Sequence, residues 1–267
     1  MLTAETTIVI PARYDSTRLP GKPLLEIHGK PMVYWVARKA ATSGVGNYIV
    51  ATDDERILTT CRNYQIPCML TSPNYENGTE RVAEVTRKIR SDYYINIQGD
   101  EPLVSVSAIQ AMHRYMLKRE PIGFVQAAAA LAPNKSTNES IVKMAISDDC
   151  KIVYLSRSPI KSGEDALNPV YYRCLGLYAY SGKFCQTYAG AKPARLEEVE
   201  KIEQLRSDLI EQGDSLINET IEQFPSLDRQ KMRQLVRNAA KEVKAEKPGK
   251  GYKELFQYLK DAHTVTY

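Results

Sequence analysis

The chain alternates between short apolar runs and longer segments in which apolar residues recur at helical spacing. Residues 7–10, 48–51 and 93–97 are short runs rich in β-branched, aromatic or small apolar residues, which is typical of buried strands. Helical spacing follows the first two runs, over residues 32–43 and 55–64. This β-α-β rhythm predicts an α/β fold with a doubly wound, mostly parallel sheet.

Three predicted loops follow these strands, after Ile10, Ala51 and Ile97. Because ligands of such sheets collect at the carboxyl ends of the strands, we expect the three loops to lie together and to form the functional site. The first loop, residues 11–23, carries one glycine and three cations, namely Gly21, Arg13, Arg18 and Lys22. A glycine lets the backbone approach an oxyanion and the cations neutralise it, which is typical of a phosphate-binding loop. A solvated basic loop has the same composition.

The loop after the third strand, residues 98–102, places Asp100 and Glu101 directly behind a strand end. A carboxylate in this position can hold a hard cation that bridges to nucleotide phosphates, so Asp100 is the candidate Mg²⁺ ligand. Asp-Glu-Pro is also an ordinary turn and helix-start sequence, and catalysis is favoured because a basic loop comes before it. The chain contains neither a Walker motif nor a GxGxxG motif, which disfavours a kinase or a dehydrogenase.

Composition and charge restrict the class of protein further. The 267 residues are 43% hydrophobic, enough for one large α/β domain with an appendage, and the formal net charge is only +4. Such a small charge does not indicate a nucleic-acid or membrane partner for the whole chain, and no segment predicts a signal peptide or a transmembrane helix. Five irregularly spaced cysteines predict neither a zinc site nor a disulfide framework, so we expect a cytoplasmic protein.

The C-terminal residues differ in pattern, because apolar positions recur at helical spacing over 215–223, 228–244 and 252–259. We therefore predict two parts, an α/β domain over residues 1–206 and a helical segment over residues 207–267. The window from Arg229 to Lys253 holds nine Lys or Arg residues against two Glu residues, a net charge of +7. This stripe can follow RNA phosphates, although a solvated helix face is the commoner meaning.

Several motifs in residues 1–206 resemble, in order and spacing, those of the 3-deoxy-manno-octulosonate (Kdo) cytidylyltransferase family. They are IPARY (10–14), STRLPGKPL (16–24), GKPM (29–32), VATD (50–53), GTER (78–81), QGDEP (98–102) and EQLR (203–206). The resemblance implies a nucleotide-binding sheet that transfers CMP from CTP to Kdo or a modified Kdo, with release of pyrophosphate, for lipopolysaccharide synthesis. It also implies a requirement for Mg²⁺ and a homodimer.

The resemblance also assigns roles to particular residues. Arg13 and Lys22 would hold the triphosphate and Asp100 would bind Mg²⁺ at the α-phosphate, so these three form the catalytic set. The rest of the nucleotide site would contain Ala12, Gly78, Arg81 and Gln98. The sugar acid would contact Gln98, Arg157, Cys174 and Gln204. A guanidinium suits the carboxylate of the sugar, although Arg157 can also be read as a scaffold ion-pair residue.

Two features depart from the family pattern. Cys174 stands where the family usually carries a histidine that contacts the sugar, which favours a modified acceptor such as 8-amino-Kdo or a thiol that simply packs. After Arg206 the chain lacks the family's Val-Asp-Thr-Pro-Glu-Asp-type motif, whose first acid is a further magnesium ligand. Unless Asp208, Asp214, Asp228 or a partner subunit supplies that acid, we expect metal binding and turnover to fall.

Residues 202–258 resemble instead the C-terminal part of a helical bacterial family associated with maturation of the large ribosomal subunit. The matching strings are RQLVRNAAK (233–241) and YKELFQYL (252–259). An alternative function follows, in which a fused or degenerate transferase domain carries a segment that contacts ribosomes or RNA. The intact set of Arg13, Lys22 and Asp100 favours the enzyme.

Overall fold

The computed structural model describes residues 5–15, 19–118, 123–147, 150–160, 171–206 and 213–217. The strands are β1 (Thr6–Ala12), β2 (Glu26–Ile27), β3 (Lys30–Pro31), β4 (Asn47–Thr52), β5 (Cys68–Leu70), β6 (Tyr93–Ile97), β7 (Phe124–Leu131), β8 (Lys143–Ile146), β9 (Ile152–Ser156), β10 (Tyr171–Ser181) and β11 (Gly213–Ile217). The helices are α1 (Met32–Thr42), α2 (Glu55–Asn63), α3 (Gly78–Lys88), α4 (Val106–Lys118), α5 (Gly182–Gly190) and α6 (Arg195–Glu200). Short 3-10 helices cover Lys22–Leu24, Pro133–Lys135 and Glu203–Leu205.

Parallel strands in the order β6-β1-β4-β5 form one half of the main sheet. The central strand β1 is buried on both faces, with Ile8 and Ile10 in one apolar core and Val9 in the other, because successive side chains of a strand alternate between faces. Helices α1, α2 and α4 supply the first core, and α3 and α5 supply the second. The predicted doubly wound α/β fold is therefore confirmed.

The other half of the sheet is mixed. Strand β10 lies between β6 and β7 and is antiparallel to both, and the antiparallel pair β8–β9 joins the sheet through β10. This arrangement brings β10 beside the carboxyl end of β6. Residues of β10 therefore adjoin the loop that follows Ile97.

Side-chain caps fix where α2 and α3 begin. Asp54 caps α2, its Oδ1 accepting the backbone N–H of Arg56 at 2.9 Å. Asn77 caps α3 in the same way, with Oδ1 accepting the backbone N–H of Glu80 at 2.9 Å. Since α2 directly follows β4, its cap also fixes the loop at the carboxyl end of that strand.

The C-terminal prediction needs a correction at β11. Residues 213–217 pair in parallel with β7, so the helix predicted from Ser215 is wrong for residues 215–217. A short apolar segment such as Leu216–Ile217 carries too few residues for periodicity to separate helix from strand, and the open edge of β7 decides the outcome. The remainder of the predicted helical segment lies outside the described residues. Among the described residues, no helix has both the length and the apolar composition needed to cross a membrane.

Candidate active site

The loop after β1 turns back on itself at Gly21. This residue has φ of 69°, a left-handed conformation that favours glycine, and its backbone N–H donates to the carbonyl of Tyr14 at 2.8 Å. A Cβ on Gly21 would lie 3.1 Å from the ring of Tyr14. Lys22 follows at the start of a 3-10 helix, with Pro23 behind it. The turn therefore fixes the position of the Lys22 backbone, from which its side chain extends. Arg18, the third cation of this loop, lies outside the described residues.

The first and third loops meet as predicted. Lys22 Nζ lies 2.6 Å from Asp100 Oδ2, and both side chains are partly exposed. The two backbones also pack too closely for a side chain, because a Cβ on Gly99 would lie 2.6 Å from the carbonyl oxygen of Pro11 and 3.5 Å from the Cα of Ala12. Ala12 is thus the buried floor between the two loops.

The second loop is joined to the site by Arg81. Arg81 is only 2% exposed, and its Nη2 donates to Oδ2 of Asp53, directly after β4, at 2.7 Å. The other terminal nitrogen donates to the hydroxyl of Thr71 and to the carbonyl of Ser72. Arg81 therefore ties the loop after β4 to the loop before α3, and this buried position makes it part of the wall of the site.

The N-terminus of α3 closes another side. A Cβ on Gly78 would lie 3.0 Å from Gln98 Nε2, so the absence of a side chain there makes room for the amide of Gln98. Arg13 Nη1 donates at 3.3 Å to the carbonyl of Glu76, two residues before this helix. The exposed cation of Arg13 and the amide of Gln98 therefore both border the start of α3.

A β-bulge in β10 supports the loop that carries Asp100. Register with β7 shifts between Cys174 and Tyr178, and the fully buried Gln126 of β7 donates from Nε2 to the carbonyls of Leu175 at 2.7 Å and of Leu177 at 3.4 Å. Gly176 between them accepts the backbone N–H of Gln98 at 3.0 Å. Sequence reasoning missed Gln126, although one glutamine within the otherwise apolar strand β7 was a usable signal.

Besides Gln98, the predicted sugar contacts lie directly after β9, within β10 and in the segment before residue 206. Three nitrogens of Arg157 donate to backbone carbonyls, of Glu200 at 2.7 Å, Lys201 at 3.1 Å and Glu139 at 3.2 Å, which favours the scaffold interpretation of this residue. Burial raises the pKa of the Cys174 thiol, and the charge of Arg157 opposes that rise. Gln204 is buried, with Nε2 3.4 Å from Gln126 Oε1, so Gln126 connects it to the bulge in β10.

A buried group of charged side chains packs behind the segment that carries Gln204. The guanidinium of Arg206 binds Glu197 through two nitrogens at 2.8 and 3.0 Å and Glu80 at 2.8 Å, and it stacks on the ring of Tyr188 at 3.9 Å. Burial raises the pKa of Glu203 to about 7, and the negative charges of Glu197 and Glu80 act in the same direction. The charges of this group therefore join α3, α6 and the turn that carries Gln204.

The residues at this site fit a divalent cation whose coordination shell is completed by the substrate. No group of three His, Cys, Asp or Glu side chains suited to a metal occurs in the part of the chain that the structure describes. Asp100 offers a partly exposed carboxylate at a strand end, beside a cation. Magnesium commonly takes one or two protein carboxylates and completes its shell with water and phosphate oxygens, so these residues fit Mg²⁺ held jointly by Asp100 and a bound nucleotide.

Comparison with known proteins decides the family. The sequence model of the family described as cytidylyltransferase matches residues 7–247. The chain belongs to the cytidylyltransferase family. The match extends past residue 206, where the resemblance seen in the sequence stopped, and includes β11. The division into domains at residue 206 stays a prediction.

Relatives of known name agree with this membership. The chain is 37% identical over 236 residues to the 3-deoxy-manno-octulosonate cytidylyltransferase of Methylococcus capsulatus, covering 84% of this chain and 91% of that protein. It is 40% identical over 207 residues to the 8-amino-3,8-dideoxy-manno-octulosonate cytidylyltransferase of a Shewanella species, covering 75% and 84%. The solved structure of CMP:2-keto-3-deoxy-manno-octonic acid synthetase complexed with CTP has a TM-score of 0.77 and 33% identity, covering 80% of this chain and 90% of the other.

These comparisons confirm the resemblance to Kdo cytidylyltransferases. They give no support to the resemblance of residues 202–258 to a ribosome-associated family, nor to the alternative function built on it.

Proposed function

We propose that this cytidylyltransferase transfers CMP from CTP to the anomeric hydroxyl of a 3-deoxy-octulosonate, either Kdo or 8-amino-Kdo, and releases pyrophosphate for lipopolysaccharide synthesis. The observation that carries the proposal is the contact of Lys22 with Asp100 at the carboxyl edge of β1 and β6. Lys22 is a cation that suits a triphosphate, and Asp100 is a carboxylate that suits a metal ion bound to that triphosphate. Their side chains lie 2.6 Å apart.

The proposed roles follow from charge and position. Arg13 and Lys22 neutralise the triphosphate, and Asp100 holds Mg²⁺, which supplies charge neutralisation at the α-phosphate when bound. Phosphoryl-type transfer needs little covalent help from protein groups, so orientation and fixed charges account for most of the rate. Ala12, Gly78, Arg81 and Gln98 form the walls around the nucleotide. The backbone contacts at Gly99 and Gly176 keep the Asp100 loop in place.

The sugar side is proposed to involve Gln98, Arg157, Cys174 and Gln204. With its raised pKa, the Cys174 thiol stays protonated at neutral pH, and it is a weak donor compared with an imidazole. A charged group of the sugar next to Cys174 therefore finds no ionic partner in this thiol. Three of the five N–H groups of Arg157 donate to backbone carbonyls, so a supporting role is the better fit for this residue, and at most two N–H groups remain for the sugar carboxylate.

The test is pyrophosphate release from CTP and Mg²⁺, with Kdo and with 8-amino-Kdo as separate acceptors. Asp100→Asn removes the charge and keeps the shape, and we expect it to reduce kcat by about 100- to 1,000-fold. Glu198→Gln makes the same chemical change on the exposed face of α6 and serves as the matched control. A folded wild-type protein that releases no pyrophosphate with either acceptor would contradict the proposal.

Three finer statements accompany the proposal as predictions. The requirement for Mg²⁺ predicts that chelation with EDTA abolishes turnover and that added Mg²⁺ restores it. The homodimer implied by the family resemblance and the cytoplasmic location expected from the cysteines remain to be tested by light scattering and by cell fractionation. The ratio of the two kcat/KM values identifies the preferred acceptor.

A further inference from the structure

The aromatic ring of Tyr14 is held from outside its own loop. The guanidinium carbon of Arg56, in the first turn of α2, lies 3.2 Å from the centroid of this ring. The same ring lies against Gly21, where a Cβ would come within 3.1 Å of it. Tyr14 therefore contacts both the helix after β4 and the far end of the loop after β1.

Arg56 is itself fixed by Asp54. Its Nε donates to Asp54 Oδ1 at 2.9 Å and its Nη2 donates to Asp54 Oδ2 at 2.6 Å, a bidentate pair. Asp54 also caps α2 by accepting the backbone N–H of Arg56. This pair holds the pKa of Asp54 below its ordinary value, chiefly through the side-chain hydrogen bond from Arg56. Because the pair with Asp54 holds one edge of the guanidinium, Arg56 offers Tyr14 a fixed, flat cationic surface.

The contact matters because of what Tyr14 connects. Tyr14 directly follows Arg13, and its carbonyl accepts the backbone N–H of Gly21, the residue before Lys22. Arg13 and Lys22 are thus the neighbours of Tyr14 and Gly21, the two residues whose hydrogen bond closes the loop. The ring of Tyr14 is stacked on Arg56. A shift of the ring moves the backbone next to both cations.

We infer that Asp54, Arg56 and Tyr14 form a clasp that positions Arg13 and Lys22 for the triphosphate of CTP. Arg56 is then a positioning residue that acts through Tyr14, and the inference rests on the proposed function. If the ion pair at the start of α2 were merely structural, its loss would lower stability and would change the KM values of both substrates together. The clasp changes CTP kinetics alone.

The decisive experiment compares Arg56→Ala with Arg62→Ala. Both residues are exposed arginines of α2, and Arg62 lies in its last turn, so the control removes the same charge from the same helix. We expect Arg56→Ala to raise KM for CTP about three- to tenfold, with KM for the sugar acid and Tm unchanged relative to the control. Tyr14→Phe keeps the ring and is expected to raise KM for CTP less than Tyr14→Leu does.

Several results would overturn the clasp. One is a KM for CTP in Arg56→Ala equal to that in Arg62→Ala, and another is a parallel rise of both KM values together with a fall in Tm. Calorimetric titration with CTP and Mg²⁺ separates this failure from failure of the proposed function. If the wild type binds CTP without transferring it to either sugar, weaker CTP binding by Arg56→Ala still supports the clasp and equal binding refutes it. A wild type that does not bind CTP overturns both proposals.

Discussion

The carboxyl group of Glu203 is expected to make the stability of this protein depend on pH. Burial is the largest cause that raises its pKa, from 4.5 to about 7, and the charges of Glu197 and Glu80 add to the rise. Hydrogen bonds from Thr79 act in the opposite direction. The folded state therefore keeps a proton on Glu203 over a pH range in which the unfolded chain has already lost it.

The sign and size of the effect follow from this shift. Since the folded pKa lies above the unfolded one, the stabilisation is complete below about pH 4.5 and is lost as the pH rises through about 7. At about 1.36 kcal/mol per pKa unit the whole shift corresponds to about 3.4 kcal/mol, of which about 2 kcal/mol is lost between about pH 5.5 and about pH 8. Glu203 is half-buried as a residue, so solvent screening reduces the expected change to about 1–2 kcal/mol.

Urea unfolding of the wild type and of Glu203→Gln at the two pH values measures this change. Glutamine does not titrate, so the free energy of unfolding of the wild type, relative to the variant, should fall by about 1–2 kcal/mol from the lower to the higher pH. Glu198→Gln on the exposed face of α6 is the control, and its difference from the wild type should stay constant. The reasoning is refuted if the difference between the wild type and Glu203→Gln is the same at both pH values.

Two further substitutions test the supports of the site. Arg206→Met leaves Glu80 and Glu197 without their cation and should lower the free energy of unfolding by about 3–5 kcal/mol in urea titrations, and a loss below 1 kcal/mol would mean that the buried charges are not coupled as described. Gly176→Ala places a Cβ 2.6 Å from Glu101 Cγ, which displaces the Asp100 loop. We expect that substitution to reduce kcat for pyrophosphate release by about tenfold while stability falls by about 1–2 kcal/mol, and an unchanged kcat would contradict the support role of Gly176.

The sequence predicted the parallel half of the fold because its signals are local. Residues 93–97 form β6 with the predicted bounds, and Asp54 marks the start of α2 because a cap is defined by its immediate neighbours. The meeting of Lys22 with Asp100 followed from one topological rule, that carboxyl ends of parallel strands share an edge. Each of these inferences needed only a short window and the order of elements.

The features that the sequence did not predict depend on contacts between distant segments. Gln126 acts on carbonyls 49 and 51 residues away, and only the register of β7 with β10 brings them together. The sequence leaves Arg157 open between a sugar contact and a scaffold role, and the carbonyls that its nitrogens meet, of residues 139, 200 and 201, lie in segments distant from it along the chain. Strand β11 was taken for a helix because five residues carry no reliable period and the free edge of β7 is a property of the fold.

The bulge in β10 has a consequence for how acceptor preference can diverge within this family. Gly176 supports the Asp100 loop and has no space for a side chain, and Gln126 donates to the carbonyls on either side of it, of Leu175 and Leu177. We expect mutations at these two positions to carry a catalytic penalty whichever sugar is used, so selection for a new acceptor would not readily use them. Cys174 lies directly before the bulge, at one of the positions proposed to contact the sugar. On that proposal, a lineage exchanges its acceptor by point mutation at Cys174 while the nucleotide chemistry is inherited unchanged.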